Sequence, residues 1–185
     1  DARTRGHVYE MTWLGSHASE EPVWSEEQVT TYNYYIGNQP EHWASGCKSY
    51  KQCLLPNLYP EIDLKIYSQF AFMKYDFVVH PGGDPRHIQM RYEGAEDVRI
   101  ENGKIVIRTS TTEVWEQPPL SWQIIEGEKR AVSCAYVVLD KNTISLTFGE
   151  YDVNTDLIID PELVFSTYSG STSDNFGYTA TYDEA

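Results

Sequence analysis

The residues of this chain best suited to chemistry are its histidines, its cysteines and four aspartates set beside turns and strand ends. The five histidines, His7, His17, His42, His80 and His87, form no His-x-x-x-His pair, and no Cys-x-x-Cys accompanies them. Zinc binding or nucleophile–base chemistry needs side chains converging at fixed spacing, so the pattern indicates neither. Asp63, Asp76, Asp84 and Asp160 are candidate ligands for calcium, a hard cation that prefers oxygen donors. They lack a calcium-loop pattern such as Asp-x-Asp-x-Asp-Gly. Asp84 and Asp160 each precede a proline, where an aspartate commonly caps its own turn. Asp63 and Asp76 are expected to tie strand ends by hydrogen bonds. Turn and cap roles are thus preferred to metal ligation, and no cofactor is expected.

Trp43, Trp115 and Trp122 are candidate stacking residues for a sugar. Two carboxylates flanking that sugar would make a glycosidase, but no pair is marked by spacing. The three cysteines, Cys47, Cys53 and Cys134, cannot all pair internally. Cys47 and Cys53 lie six residues apart. On a straight strand that is roughly 20 Å, against a Cα limit near 7 Å for a disulfide. Small buried hydrophobes are the preferred reading.

The elements that would position these residues read as strands. Ile62, Leu64 and Ile66, then Tyr75, Phe77 and Val79, repeat every second residue and are followed by the Pro81-Gly82-Gly83-Asp84-Pro85 turn. His7–Leu14 alternates as a strand whose neighbour is expected upstream, and a partner chain could supply that strand by edge addition. Gly15–Gln28, with Glu20, Glu21, Glu26 and Glu27, reads as an exposed loop. A short aromatic strand from Tyr32 runs into a Gly-Asn turn and one helical turn at Pro40, and Lys48–Leu55 returns as a strand.

Three hairpins follow. Asn102-Gly103 sets Ile100 against Ile105, Val98 against Ile107, Glu101 against Lys104 and Asp97 against Arg108. Lys141-Asn142 sets Leu139 against Ile144, Val137 against Leu146 and Ala135 against Phe148. The third, around Gly127, has no register fixed by pattern. Pro118-Pro119 marks an edge or corner of the sheet. Leu157–Pro161 closes the block, and Val164–Tyr168 is a further strand. The fold class is therefore all-β: an antiparallel sandwich or partly open barrel built from hairpins, with little helix. Composition changes abruptly at Ser169, which divides a β domain over 1–168 from a linker and new element over 169–185.

Net charge is −14, which argues against nucleic acid and anionic lipid surfaces. No apolar run approaches the roughly 18 residues of a membrane span. The polar start at Asp1 carries no hydrophobic leader, as expected of a processed protein or a piece of a longer one.

Tyr32–Trp43, Leu58–Tyr67, Lys74–Pro85, Tyr92–Ala95, Leu157–Pro161 and Val164–Tyr168 together resemble one family closely. It is the β domain that precedes the repeats in bacterial seven-bladed β-propeller-repeat proteins. Phe176–Asp183 resembles the start of the first repeat. The family's usual glycine after Tyr-Pro is Glu61 here, and its glycine-rich entry to the repeats is Ser169–Asp174. No catalytic residues are established for that domain. The resemblance implies an extracellular or outer-cell-surface location, often as cargo of the type IX secretion system of gliding bacteria, with strands missing at both ends of this chain. It implies a non-catalytic structural or interaction module in surface assembly, adhesion or gliding. The expected partners are other surface or secretion-system proteins. The alternative, from another class, is a carbohydrate-binding or carbohydrate-processing domain with a glycan partner.

Overall fold

A computed structural model of the chain describes residues 6–17, 21–69, 72–161 and 163–164. It is all-β, with three antiparallel sheets that do not close into a barrel, in keeping with a β-sandwich. The strands are β1 (Glu10–Trp13), β2 (Val23–Tyr34), β3 (Ala44–Tyr59), β4 (Ile62–Gln69), β5 (Phe72–Val79), β6 (Gln89–Glu93), β7 (Asp97–Glu101) and β8 (Lys104–Arg108). They continue as β9 (Glu113–Glu116), β10 (Leu120–Ile125), β11 (Glu128–Val132), β12 (Cys134–Asp140), β13 (Thr143–Phe148), β14 (Leu157–Asp160) and β15 (Leu163–Val164). Sheet orders are β1-β6-β13-β12, β11-β10-β14-β5-β4-β3-β2 and β15-β9-β8-β7.

The period-two residues pair across one hairpin: Ile62 with Val79, Leu64 with Phe77 and Ile66 with Tyr75. All but Ile66 are buried, and they join one core with Ile88, Met90 and Tyr92 of the first sheet's side and Ile105 and Ile107 of the third. Burying such a face is the main drive to fold, at about 25 cal/mol per Å² of apolar surface. Pro118-Pro119 lies between β9 and β10, where the chain leaves one sheet for another, so the corner is real.

The Asn102-Gly103 hairpin has the expected register at all four pairs, with both turn residues at positive φ. Glu126 and Gly127 make a second positive-φ turn, which fixes the third hairpin by setting Ile125 against Glu128. The Lys141-Asn142 hairpin corrects the sequence reading. Asp140 faces Thr143 as alternation requires, but a bulge at Leu139 then slips the register by one, giving Val138–Ile144, Tyr136–Leu146 and Cys134–Phe148. The extra residue turns Leu139 outward and puts Tyr136 into the core.

Other differences concern the first half. β1 pairs antiparallel with β6, so its neighbour lies within the chain, and among the described residues no strand pairs with its other edge. Val23–Gln28 is strand rather than loop: ladder bonds to β3 hold it extended although its side chains show no apolar alternation. β3 runs through Pro56, where the register shifts and Asn57 takes a positive φ. The 3-10 turn at Pro40–His42 is where the sequence placed it, and a second lies at Pro85–His87. The proposed strand beyond Val164, and the boundary and repeat over 169–185, lie outside the described residues.

Glu61 occupies the second position of the two-residue Pro60-Glu61 turn and has φ +57°, the left-handed region that favours glycine. A glycine, which the resemblance leads one to expect there, would take this φ without strain. Glu61→Gly should raise stability by about 0.5–1 kcal/mol in urea denaturation; an unchanged or lower midpoint would contradict a strained turn.

Candidate functional site

Strongly perturbed ionisable groups mark functional sites often enough to be the first places to look. The most perturbed carboxyl is Glu116, at the end of β9. Alternation with Val114 turns it to the core side, opposite Ile105 on β8, and it is 2% exposed. Its Oε1 accepts a hydrogen bond from the Tyr92 hydroxyl at 2.7 Å and its Oε2 accepts one from Tyr75 at 3.4 Å. Burial pushes its pKa up to about 7, against the pull of the two tyrosine hydrogen bonds. The tyrosines are raised well above their ordinary value, first by burial and then by the Glu116 charge. The larger surface grooves are lined by other residues, so substrate has no path to Glu116 along them.

The four aspartates go to three places. Asp63 accepts the Asn57 backbone N–H at 2.8 Å and pairs with His80 Nε2 at 3.1 Å. His80 Nδ1 meets Asp156, also at 3.1 Å. Burial works against its charged form, but the two carboxylates outweigh that and raise its pKa. Asp84 caps its own turn as expected, accepting the Arg86 backbone N–H at 3.0 Å, and the Arg86 guanidinium helps hold its pKa down at about 2.

Asp76 and Asp160 are brought side by side, one step beyond the Ile159–Phe77 pair of β14 and β5. Asp160, the last residue of β14, pairs with Lys74 at 3.2 Å. Asp76 accepts the Tyr67 hydroxyl at 3.2 Å. Burial, then the Asp160 charge, lifts the Asp76 pKa to about 6. Among the described residues no three His, Cys, Asp or Glu side chains converge to hold a metal ion. The aspartates have protein partners instead: a backbone amide, a histidine, an arginine, a lysine and a tyrosine.

The tryptophans are not gathered. Trp115 lies on β9 of the third sheet and Trp122 on β10 of the seven-stranded one. Lys129 Nζ covers the Trp122 ring at 3.5 Å from its centre, which takes one stacking face. Trp43 follows the 3-10 turn, meets Tyr35 edge-on with centres 5.4 Å apart, and donates its indole N–H to the Gly37 carbonyl at 3.3 Å. The cysteines are free thiols, and Cys53 is buried as a small hydrophobe.

One feature of the surface was not legible beforehand. β4 pairs with β3 only from Gln52 onward, whereas β2 stays paired with β3 from Val23–Leu54 out to Tyr34–Ala44. From Glu27–Tyr50 to the tip, the two strands have no third neighbour among the described residues and form an arm about 20 Å long. Two-stranded ribbons are marginal alone. This one is held by Lys48–Glu27 at 2.9 Å, by Ser49 Oγ donating to the Thr30 carbonyl at 2.7 Å, and by Gly46 N–H donating to Asn33 Oδ1 at 2.8 Å. At and near its tip Tyr32, Tyr34, Tyr35 and Ile36 are each at least 50% exposed.

The sequence matches the family described as Domain of unknown function (DUF7948) over residues 1–162. The chain belongs to that family. No curated protein and no solved structure matches it. DUF7948 membership therefore accounts for nearly the whole β domain and assigns no role to any residue, which leaves the geometry to carry the functional argument.

Glu116 has a consequence for stability. The folded state keeps its proton up to about 7, whereas the unfolded chain loses it near 4.5. Its contribution is therefore full below the lower value and lost as pH rises to the higher one. Asp76 acts in the same direction between 3.8 and about 6. Wild-type melting temperature should fall between about pH 5 and pH 8, and Glu116→Gln should flatten most of that fall. An identical pH profile in the variant would contradict this assignment.

Proposed function

We propose that this domain is a non-catalytic structural and interaction module of a large secreted or cell-surface propeller-repeat protein, acting in surface assembly, adhesion or gliding. The supporting observation is the aromatic arm. It extends past the core, and its tyrosines, exposed among the described residues, are suited to contact with a partner surface. The buried and half-buried acids favour the same reading, since Glu116, Asp63, Asp76 and Asp160 each bond across strands or sheets. The motif resemblance to the domain that precedes propeller repeats supports a place outside the cell. Partners are then other surface or secretion-system proteins. Among the described residues no helix is long and apolar enough to cross a membrane.

The test is made in the intact gene product. Replacing Tyr32, Tyr34 and Tyr35 together by Ser should leave surface display and the melting temperature nearly unchanged, because substitutions at exposed positions cost within about 0.5 kcal/mol each. Cell attachment or spreading should drop severalfold. Full attachment by the triple variant, or an intact protein found only in the cytoplasm, would refute the proposal.

A further inference from the structure

We propose that the groove above the Pro81–Pro85 turn binds a neutral saccharide chain. The groove has a volume of about 620 Å³, and Leu146 and Phe148 of β13, Tyr151, Val153 and the Asp84–Arg86 pair line it. The turn has little freedom. A Cβ on Gly83 would lie 2.7 Å from the Glu61 carbonyl oxygen and 3.0 Å from Val79 Cγ1, so only glycine lets the backbone pass there.

Arg86 is the unusual residue. Its side chain is 81% exposed, yet Asp84 holds Nε at 2.9 and 3.1 Å and Nη2 at 2.7 Å. A pinned guanidinium loses little rotamer freedom on binding, which is the cost that weakens most surface arginines as ligand contacts. Nη1 has no partner among the described residues and remains a donor, and Asp84 oxygens beside it remain acceptors. Vicinal sugar hydroxyls each donate and accept, so a fixed donor beside a fixed acceptor matches them. Phe148 and Tyr151, edge to face with centres 6.5 Å apart, supply the apolar contact that the C–H face of a sugar needs.

Charge decides between ligand classes. The Asp84–Arg86 pair is balanced, and a chain of net charge −14 disfavours an anionic ligand. An extended peptide would need a free backbone edge. Tyr136–Leu146 to Cys134–Phe148 pairing occupies one edge of this part of β13, and the turn at Pro85–His87 packs against the strand, with Ser145 Oγ donating to the Ile88 carbonyl at 2.9 Å. The site is distinct from Trp43, Trp115 and Trp122, none of which lines the groove, and it stands independently of the arm's role.

The experiment is titration of the ¹⁵N-labelled domain with neutral gluco-, manno-, galacto-, xylo- and N-acetylglucosamine-configured hexasaccharides, with hexagalacturonate and an unstructured peptide as controls. At least one neutral chain should shift the amides of residues 82–86 and 147–153. Arg86→Ala should weaken it about tenfold, the effect of one hydrogen bond to a charged group. The exposure of Arg86 should leave folding intact, and Tyr151→Ser should weaken binding independently. No shift with any neutral chain, preference for hexagalacturonate or peptide, or affinity unchanged in both variants would overturn the proposal.

Discussion

A carboxyl group inside the core ties the three sheets together. Glu116 comes from the third sheet, Tyr92 from the first and Tyr75 from the seven-stranded one, and their hydrogen bonds meet at the one carboxyl. A buried carboxylate is expensive by several kcal/mol, and the protein avoids much of that by keeping the proton near neutrality. The Tyr75 hydroxyl also lies 3.8 Å from Met90 Sδ. Apolar contacts are indifferent to small slides of one sheet over another. A fixed carboxyl with two directed partners is not, so this cluster sets how the layers meet.

That view separates what the sequence could disclose from what it could not. Alternation made the β4–β5 and β7–β8 hairpins readable pair by pair, because one apolar face and one turn leave a single consistent register. It failed at Leu139, since a bulge leaves no local mark when apolar residues occupy both faces, as in Val137-Val138-Leu139. Asp84 was legible as a cap because its partner is two residues away. Asp160 was not, because Lys74 lies far along the chain and only the sheet order brings it near. Glu116 carried a faint signal: Val114-x-Glu116 places an acid where alternation asks for an apolar residue. Its tyrosine partners, 24 and 41 residues away, are a property of topology.

The distribution of ionisable groups also shapes the functional argument. Raised pKa values fall here at joints: between sheets at Glu116, between strands at Asp76, and at a strand end and loop through His80. Surface features without such internal roles are the arm and the groove over the glycine turn. The arm is presented by β2 and β3, and the groove by β13 and the turn at Pro81–Pro85.

The most direct measurement of the central claim is the titration of Glu116 itself, by ¹³C NMR of the side-chain carboxyl in selectively labelled protein. The account predicts a midpoint near 7, well separated from those of the surface glutamates. A midpoint in the ordinary range near 4.5 would mean the carboxyl is hydrated and charged in the folded state, and would contradict a closed three-sheet joint.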